Sequence, residues 1–396
     1  MYRYCLLVIA LLFGACKIQT INNRKIDNES VREAILKAGS NAEEIKAVIE
    51  KVPQKLSNAA IFLISYMPES DLKTLTSEYI LNNISISYKT KEYFKWSQSL
   101  PDSIFFNYVL PYYCLDEDRD EWRNDFFNLL FPIVINAKTE YEAIDSINKN
   151  ISKIFGVEYN INRSKVNISP KQAIKEKMAT CTGLSILLVD AFRSIGIPAR
   201  IAGTPMWTNM RGNHNWVEVW IDGKWYFTEY YYDALNKSWF LTDAGKADIQ
   251  KPEHCIYATS YKPAETYFPM VWDSLSHNIH GYNVTKFYID LYEKQISEVK
   301  LENGEQWVEL VMYKNRNNET PENRISKRIT IKTDTTEIDF GYTPLPKDDA
   351  NRFLKFKLKE NRIYSFEYKN SSGLISKFEK NINKSNIEII KLYEDE

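Results

Sequence analysis

The sequence predicts an α+β protein in three structural parts: a mainly helical N-terminal region, a mixed core, and a C-terminal immunoglobulin-like β-sandwich. Three observations support this. From about Glu29 to Phe155, apolar residues recur at helical spacing. In the middle of the chain a helical run is followed by two alternating strands joined at Asp222-Gly223. Beyond Tyr292 the texture becomes short alternating runs separated by Asn, Gly, Pro and Asp. The expected divisions are a leader at 1–16, a tether at 17–29, the helical region at 30–160, the core at 161–292 and the sandwich at 293–396. A chain of 396 residues has ample capacity for two or three units.

The leader places Arg3 before the apolar run Leu6-Leu7-Val8-Ile9-Ala10-Leu11-Leu12, which ends at Phe13-Gly14-Ala15-Cys16. That run is too short to cross a bilayer comfortably. Small residues before Cys16 resemble a bacterial lipoprotein processing site. The resemblance implies lipidation of Cys16, a polar tether after it, and an exported, membrane-anchored lipoprotein of the bacterial cell envelope.

In the helical region, Ser30-Val31-Arg32-Glu33 reads as a capping box, with Ile35, Ile45, Val48 and Ile49 on apolar faces. The aromatic stretch from Pro101 to Tyr113 is expected to be a packed helix, with Asp116-Glu117-Asp118 as a solvated acidic loop. Ser169 and Pro170 then begin a short helix. In the C-terminal part, Trp307–Tyr313, Arg328–Lys332, Phe353–Leu358 and Tyr364–Tyr368 read as strands of the sandwich. Its expected role is support.

The chemistry lies between these parts. Leu184, Ile186, Leu187, Leu188, Ala191 and Phe192 follow helical spacing, and Gly196 with Pro198 stops the helix. Cys181 therefore sits near a helix N-terminus, where unpaired amides and the dipole favour a thiolate. Val217, Val219 and Ile221 alternate with Trp216, Glu218 and Trp220 on a strand. Closing the Asp222-Gly223 turn pairs Ile221 with Lys224, which puts Trp216 opposite Glu229 and His214 opposite Tyr231. His214 and Glu229 become diagonal neighbours about 7–8 Å apart by backbone. Glu218, about 13 Å along the strand, is a poor orienter; Asp233 occupies the other diagonal, and register alone leaves it open. Cys181, His214 and Glu229 thus read as nucleophile, base and orienter.

These residues resemble the transglutaminase-like core of the papain-type thiol enzymes. The shared pattern is a helix-borne Cys181, the run from Arg193 to Arg200, His214-Asn215-Trp216-Val217-Glu218-Val219, and Trp225 to Glu229. Ala179 and Glu229 stand where the family pattern has Gly and Asp. The resemblance implies an acyl-enzyme route and favours amide hydrolysis, with a peptide, protein or glycopeptide substrate and no cofactor. Trp207 and Trp216 are the candidate substrate-binding residues. Two other readings stay open: a catalytically silent protein of this fold that binds glycan or peptide, and a protein cross-linking acyltransferase.

Several classes are excluded or disfavoured. A net charge of −1 without a basic stripe argues against nucleic acid as partner. Among the four histidines, His277 and His280 lack an acidic or cysteine partner at metal-site spacing, so no metal is expected. Cys114, Cys181 and Cys255 do not make a disulfide framework, although Cys114 and Cys255 could pair. The 26 Tyr and 9 Trp are expected mainly in core and sheet positions.

Overall fold

The computed structural model describes residues 28–273, 276–298, 304–383 and 389–395. Cys16, the leader and the tether as far as residue 27 lie outside the described residues. Among those described, no helix is long and apolar enough to cross a membrane.

Apart from single-turn pieces, the helices before the core are α1 (Glu29–Ala38), α2 (Ala42–Lys51), α3 (Ser57–Ser65), α4 (Ser77–Tyr93), α5 (Asp102–Tyr108), α6 (Arg123–Val134) and α7 (Glu140–Phe155). The first begins earlier than the capping-box reading: Asn28 is the N-cap, its side chain accepting from the Val31 amide at 3.3 Å. The core adds α8 (Pro170–Glu176) and α9 (Cys181–Ser194), with a parallel pair of short strands, β1 (Glu158–Tyr159) and β2 (Met178–Ala179), between α7 and α9.

Helix α9 organises everything around it. Every residue from Thr182 to Ser194 is buried. A helix covered on all sides needs partners all round, and the N-terminal helices supply them. The Trp96 indole donates to Ile195 O at 3.0 Å, and Arg123 Nη1 to Arg193 O at 3.0 Å, satisfying carbonyls at the helix's C-terminal end. Arg193 in turn donates to Tyr113 O at 2.7 Å. One apolar core runs continuously from Val31 to Ile279. The expected helical region and core are therefore packed as one body.

In the acidic loop Asp116 and Asp118 are exposed as expected, and only the middle residue departs. Glu117 is 3 % exposed and turns inward to accept from the Cys114 and Leu115 amides at 2.7 and 2.8 Å. Cys114, Cys181 and Cys255 are all free thiols.

On the other side of α9 lies a six-stranded sheet, in the order β5-β4-β3-β6-β8-β7. Its strands are β3 (Ala199–Thr204), β4 (His214–Ile221), β5 (Lys224–Thr228), β6 (Tyr257–Ser260), β7 (Thr266–Tyr267) and β8 (His280–Asn283). The β4–β5 hairpin has the expected register, with Ile221 opposite Lys224 and the ladder running to Val217 opposite Thr228. Asp222 and Gly223 have φ of 46° and 84°, the left-handed pair a two-residue hairpin turn requires.

Helix α10 (Thr285–Glu298) carries the chain across the expected boundary before the C-terminal strands begin. These are β9 (Glu305–Tyr313), β10 (Arg328–Thr333), β11 (Thr336–Tyr342), β12 (Leu354–Lys359), β13 (Arg362–Lys369), β14 (Ile375–Ile382) and β15 (Ile389–Tyr393). They form two sheets, β11-β10-β13-β14 and β12-β9-β15. Val308, Leu310 and Met312 from one sheet share a core with Ile331 and Phe366 from the other, so this region is a β-sandwich.

The opposite face of β9 holds the sandwich against the core. Glu309 accepts from Arg211 Nη1 at 2.6 Å and forms an ion pair with Lys355 Nζ at 2.9 Å, while Arg211 Nη2 reaches Asp243 at 2.6 Å. Both carboxylates are 1 % exposed.

Candidate active site

Cys181 is the first residue of α9 and half-buried, with Thr180 at the N-cap position. The helix can start here because Gly183 lacks a Cβ. A methyl at that position would meet Ile168 Cγ2 at 2.7 Å and Ala179 Cβ at 2.9 Å. Ala179 therefore packs directly beneath the first turn. That turn is also tied to the histidine strand: Asn215 Nδ2 donates to Thr182 Oγ1 at 2.8 Å, and Ser185 Oγ to Asn215 O at 3.1 Å. Both bonds are made by Asn215, next to His214, and they fix the strand beside the histidine relative to Cys181.

His214 opens β4 and is 2 % exposed. Its ring lies among Trp239, Phe240 and Trp216, with centroid separations of 4.9, 5.2 and 5.6 Å. Nε2 lies 2.9 Å from Glu229 Oε1. Glu229 is just beyond the last ladder pair of β5, so its side chain is free to reach diagonally toward the ring. Its second oxygen, Oε2, accepts from the Ser238 hydroxyl.

The structure thus brings Cys181, His214 and Glu229 together. Glu218 is engaged elsewhere, accepting from Arg200 Nε at 2.6 Å and the Tyr288 hydroxyl at 2.7 Å. Asp233 lines the cleft. Trp207 and Trp216, expected at a substrate surface, are buried at 2 % and 0 % exposure, and both stack in the apolar cluster with Phe240. Trp207 is a supporting residue. Trp216 touches the cleft only as its floor below His214.

Asp349 was not anticipated. It lies between β11 and β12, in the sandwich, yet its Oδ2 is 3.2 Å from His214 Nδ1. Arg324 holds this segment down by donating to Asp349 O at 2.8 Å and to Ala350 O. Asn351 Nδ2 donates to Asn213 O at 2.9 Å, and the Ala350 amide approaches the Tyr159 hydroxyl at 3.4 Å. The segment forms a strap at the nucleophile. Hollows of about 890 and 400 Å³ on its two sides share Tyr159, Cys181 and Asp349 in their walls.

Both ring nitrogens of His214 face carboxylates, and a neutral imidazole has only one N–H to offer them. Burial by itself pushes His214 toward the neutral form, but Asp349, Cys181 and Glu229 outweigh it and hold the ring well above the usual histidine range. Burial likewise acts to raise Asp349, yet the imidazolium and the Asn351 amide bring it below the usual carboxylate range. Among the described residues, Cys181, His214 and Asp349 also form a cluster of metal-ligand type.

Residues 128–230 match the family model of the transglutaminase-like superfamily, so the chain carries a transglutaminase-like domain. The matched stretch includes Cys181, His214 and Glu229 but not Ser238 or Asp349. No curated protein matches the chain. Solved structures similar to it include a candidate cysteine protease from Cytophaga hutchinsonii, at 20 % identity over 31 % of this chain and 39 % of that one, with a TM-score of 0.26. A second is described as a TGase, at 16 % identity over 27 % and 31 %, TM-score 0.23. A third is the transglutaminase of red sea bream, at 9 % identity over 67 % and 59 %, TM-score 0.28. The chain spans less than two thirds of each of these three.

Proposed function

We propose that the transglutaminase-like domain makes this protein a thiol hydrolase of amide bonds, with Cys181 as nucleophile, His214 as base and acid, and Glu229 as orienter. The supporting observation is the placement of one buried imidazole between a helix-borne thiol and a carboxylate 2.9 Å from its Nε2. Attack by the Cys181 thiolate forms a carbon–sulfur bond and moves the carbonyl electron pair onto oxygen. The unpaired amides of the first turn of α9 are suited to stabilise that charge. Collapse expels the amine, which takes its proton from the His214 imidazolium and leaves a thioester. Water then attacks the thioester while His214 accepts its proton, and the acid product and the thiol are restored. Glu229 keeps the ring oriented and balances its positive charge through both halves.

The large cleft fits an extended peptide, protein or glycopeptide segment passing Cys181. The short apolar leader ending at Cys16 supports an exported, lipid-anchored setting at the bacterial cell envelope. Attack by an amine instead of water would give cross-linking from the same thioester.

The test combines site-resolved iodoacetamide labelling near pH 6, where ordinary thiols are almost wholly protonated, with amide turnover on a peptide pool. Cys181 should label fast and alone, and Cys181→Ala should abolish turnover while leaving thermal melting nearly unchanged. Cys114 should stay unlabelled, because burial lifts its thiol well above the ordinary range and its thiolate forms only at higher pH. Turnover retained by Cys181→Ala would refute the assignment.

A further inference from the structure

We propose that Cys181 Sγ, His214 Nδ1 and Asp349 Oδ2 form a binding site for a zinc-type divalent ion, which masks the nucleophile and pins the sandwich to the core. The three ligand atoms lie within 4.8 Å of one another, with His214 and Asp349 buried and Cys181 turned toward the cleft. Sulfur, imidazole nitrogen and a carboxylate are ligands this class of ion takes, while calcium and magnesium want oxygen.

The geometry goes beyond a coincidence of residue types. His214 Nδ1 is buried and makes no directed hydrogen bond. It nevertheless sits 3.2 Å from Asp349 Oδ2. A separation of this size is also the spacing of two ligands of one ion. Zinc bonds to nitrogen and oxygen of about 2.0–2.1 Å at tetrahedral angles put those ligands about 3.3 Å apart.

The surrounding atoms are already assigned in the same sense. His214 Nε2 is held by Glu229 at 2.9 Å, the carboxylate–histidine support that orients a metal-bound ring. Asp349 Oδ1 accepts the Asn351 amide at 2.8 Å, which leaves Oδ2 for the ion. The fourth position faces the cleft, where water or a substrate group completes the shell.

The charges balance. As the ion enters, the thiol proton and any Nδ1 proton leave to solvent. A thiolate, a carboxylate and a neutral imidazole then offset its two positive charges. Because Cys181 and His214 come from the core and Asp349 from the sandwich, loading links the two. This reading does not depend on amide hydrolysis, and a spectroscopic test separates them.

Cobalt(II) serves as the probe, added to the full chain after chelator treatment and with a non-thiol reductant. The expected result is a thiolate-to-cobalt charge-transfer band saturating at one equivalent and displaced by zinc. Cys181→Ser should lose the band, and Asp349→Asn should weaken binding by at least about tenfold. X-ray absorption of the zinc-loaded wild-type chain needs no variant: one sulfur at about 2.3 Å and nitrogen or oxygen at about 2.0–2.1 Å are expected. A shell without sulfur, no band in the wild type, or undiminished affinity in a folded Asp349→Asn would overturn the proposal.

Discussion

Glu229 and Asp349 face one imidazole from two sides, and they arrive there by different routes. Glu229 is delivered by the β4–β5 hairpin, fifteen residues along the chain from His214. Its position follows from a turn dipeptide and a strand register. Asp349 is delivered by docking the sandwich, through Arg324 on the strap and the Arg211–Glu309–Lys355 cluster at the junction. The first carboxylate is built into the domain's own strands. The second is present only while two parts of the molecule stay together. One half of the site is therefore as stable as the core, and the other is as stable as an interface.

The largest expected effect separates the two acids chemically. Glu229→Gln keeps size and hydrogen-bonding capacity but removes the charge facing Nε2. Turnover should fall about 10²- to 10⁴-fold, the range for disabling general acid–base catalysis, with little change in melting temperature. A loss below tenfold would mean that Asp349, not Glu229, is the acid that orients the ring.

A comparable effect on stability should come from breaking the interface. Glu309→Ala leaves Arg211 and Lys355 buried with only Asp243 nearby, and removing one partner of a buried pair costs about 3–5 kcal/mol. Thermal melting should show a separate, earlier transition for the sandwich, and the strap near Asp349 should become sensitive to limited proteolysis. Cys181 should still label quickly, because Thr182, Asn215 and Ser185 tie α9 to β4 within the core. Loss of labelling together with the sandwich would show that the two halves act as a single cooperative unit.

The same contrast explains what could be read from the chain. Cys181, His214 and Glu229 were visible because each depends on local pattern: a helix start, a period-two strand, a hairpin register. Asp349 offered no such signal. It sits in a connection whose position is set by packing between sheets, and no spacing rule relates it to His214. Ser238 was hidden for a similar reason, in an irregular segment after β5 that folds back over Glu229. For Trp207 and Trp216 the sequence left the placement open, because aromatic residues beside a nucleophile look alike whether they face the cleft or support its floor; the structure buries both and lets Trp216 alone reach the cleft. Glu117 illustrates the converse, a charge in an acidic run that turns inward because two backbone amides await it. At the large scale, the helical, mixed and β-rich parts were legible from periodicity. The fusion of the first two into one core was not, since it follows from the all-round burial of α9 rather than from a local pattern.

The smallest effect tests how firmly the locally built half is held. Ser238 donates to the Glu229 oxygen that does not face His214, so it supports the orienter without touching the ring. Ser238→Ala should lower kcat about tenfold, consistent with losing one hydrogen bond to a charged group at a site that water can partly reach. KM should stay nearly constant, because the hydroxyl is spent on Glu229 and not on substrate. Ser238→Thr, which keeps the hydroxyl, should restore most of the rate. Cobalt binding should weaken less than turnover, since Sγ, Nδ1 and the strap would hold the ion directly and Ser238 acts on it only through Glu229. If Ser238→Ala instead weakened cobalt binding as much as turnover, the ring could not be oriented by Glu229 independently of Asp349. The two carboxylates would then have to be treated as one coupled pair gripping the imidazole.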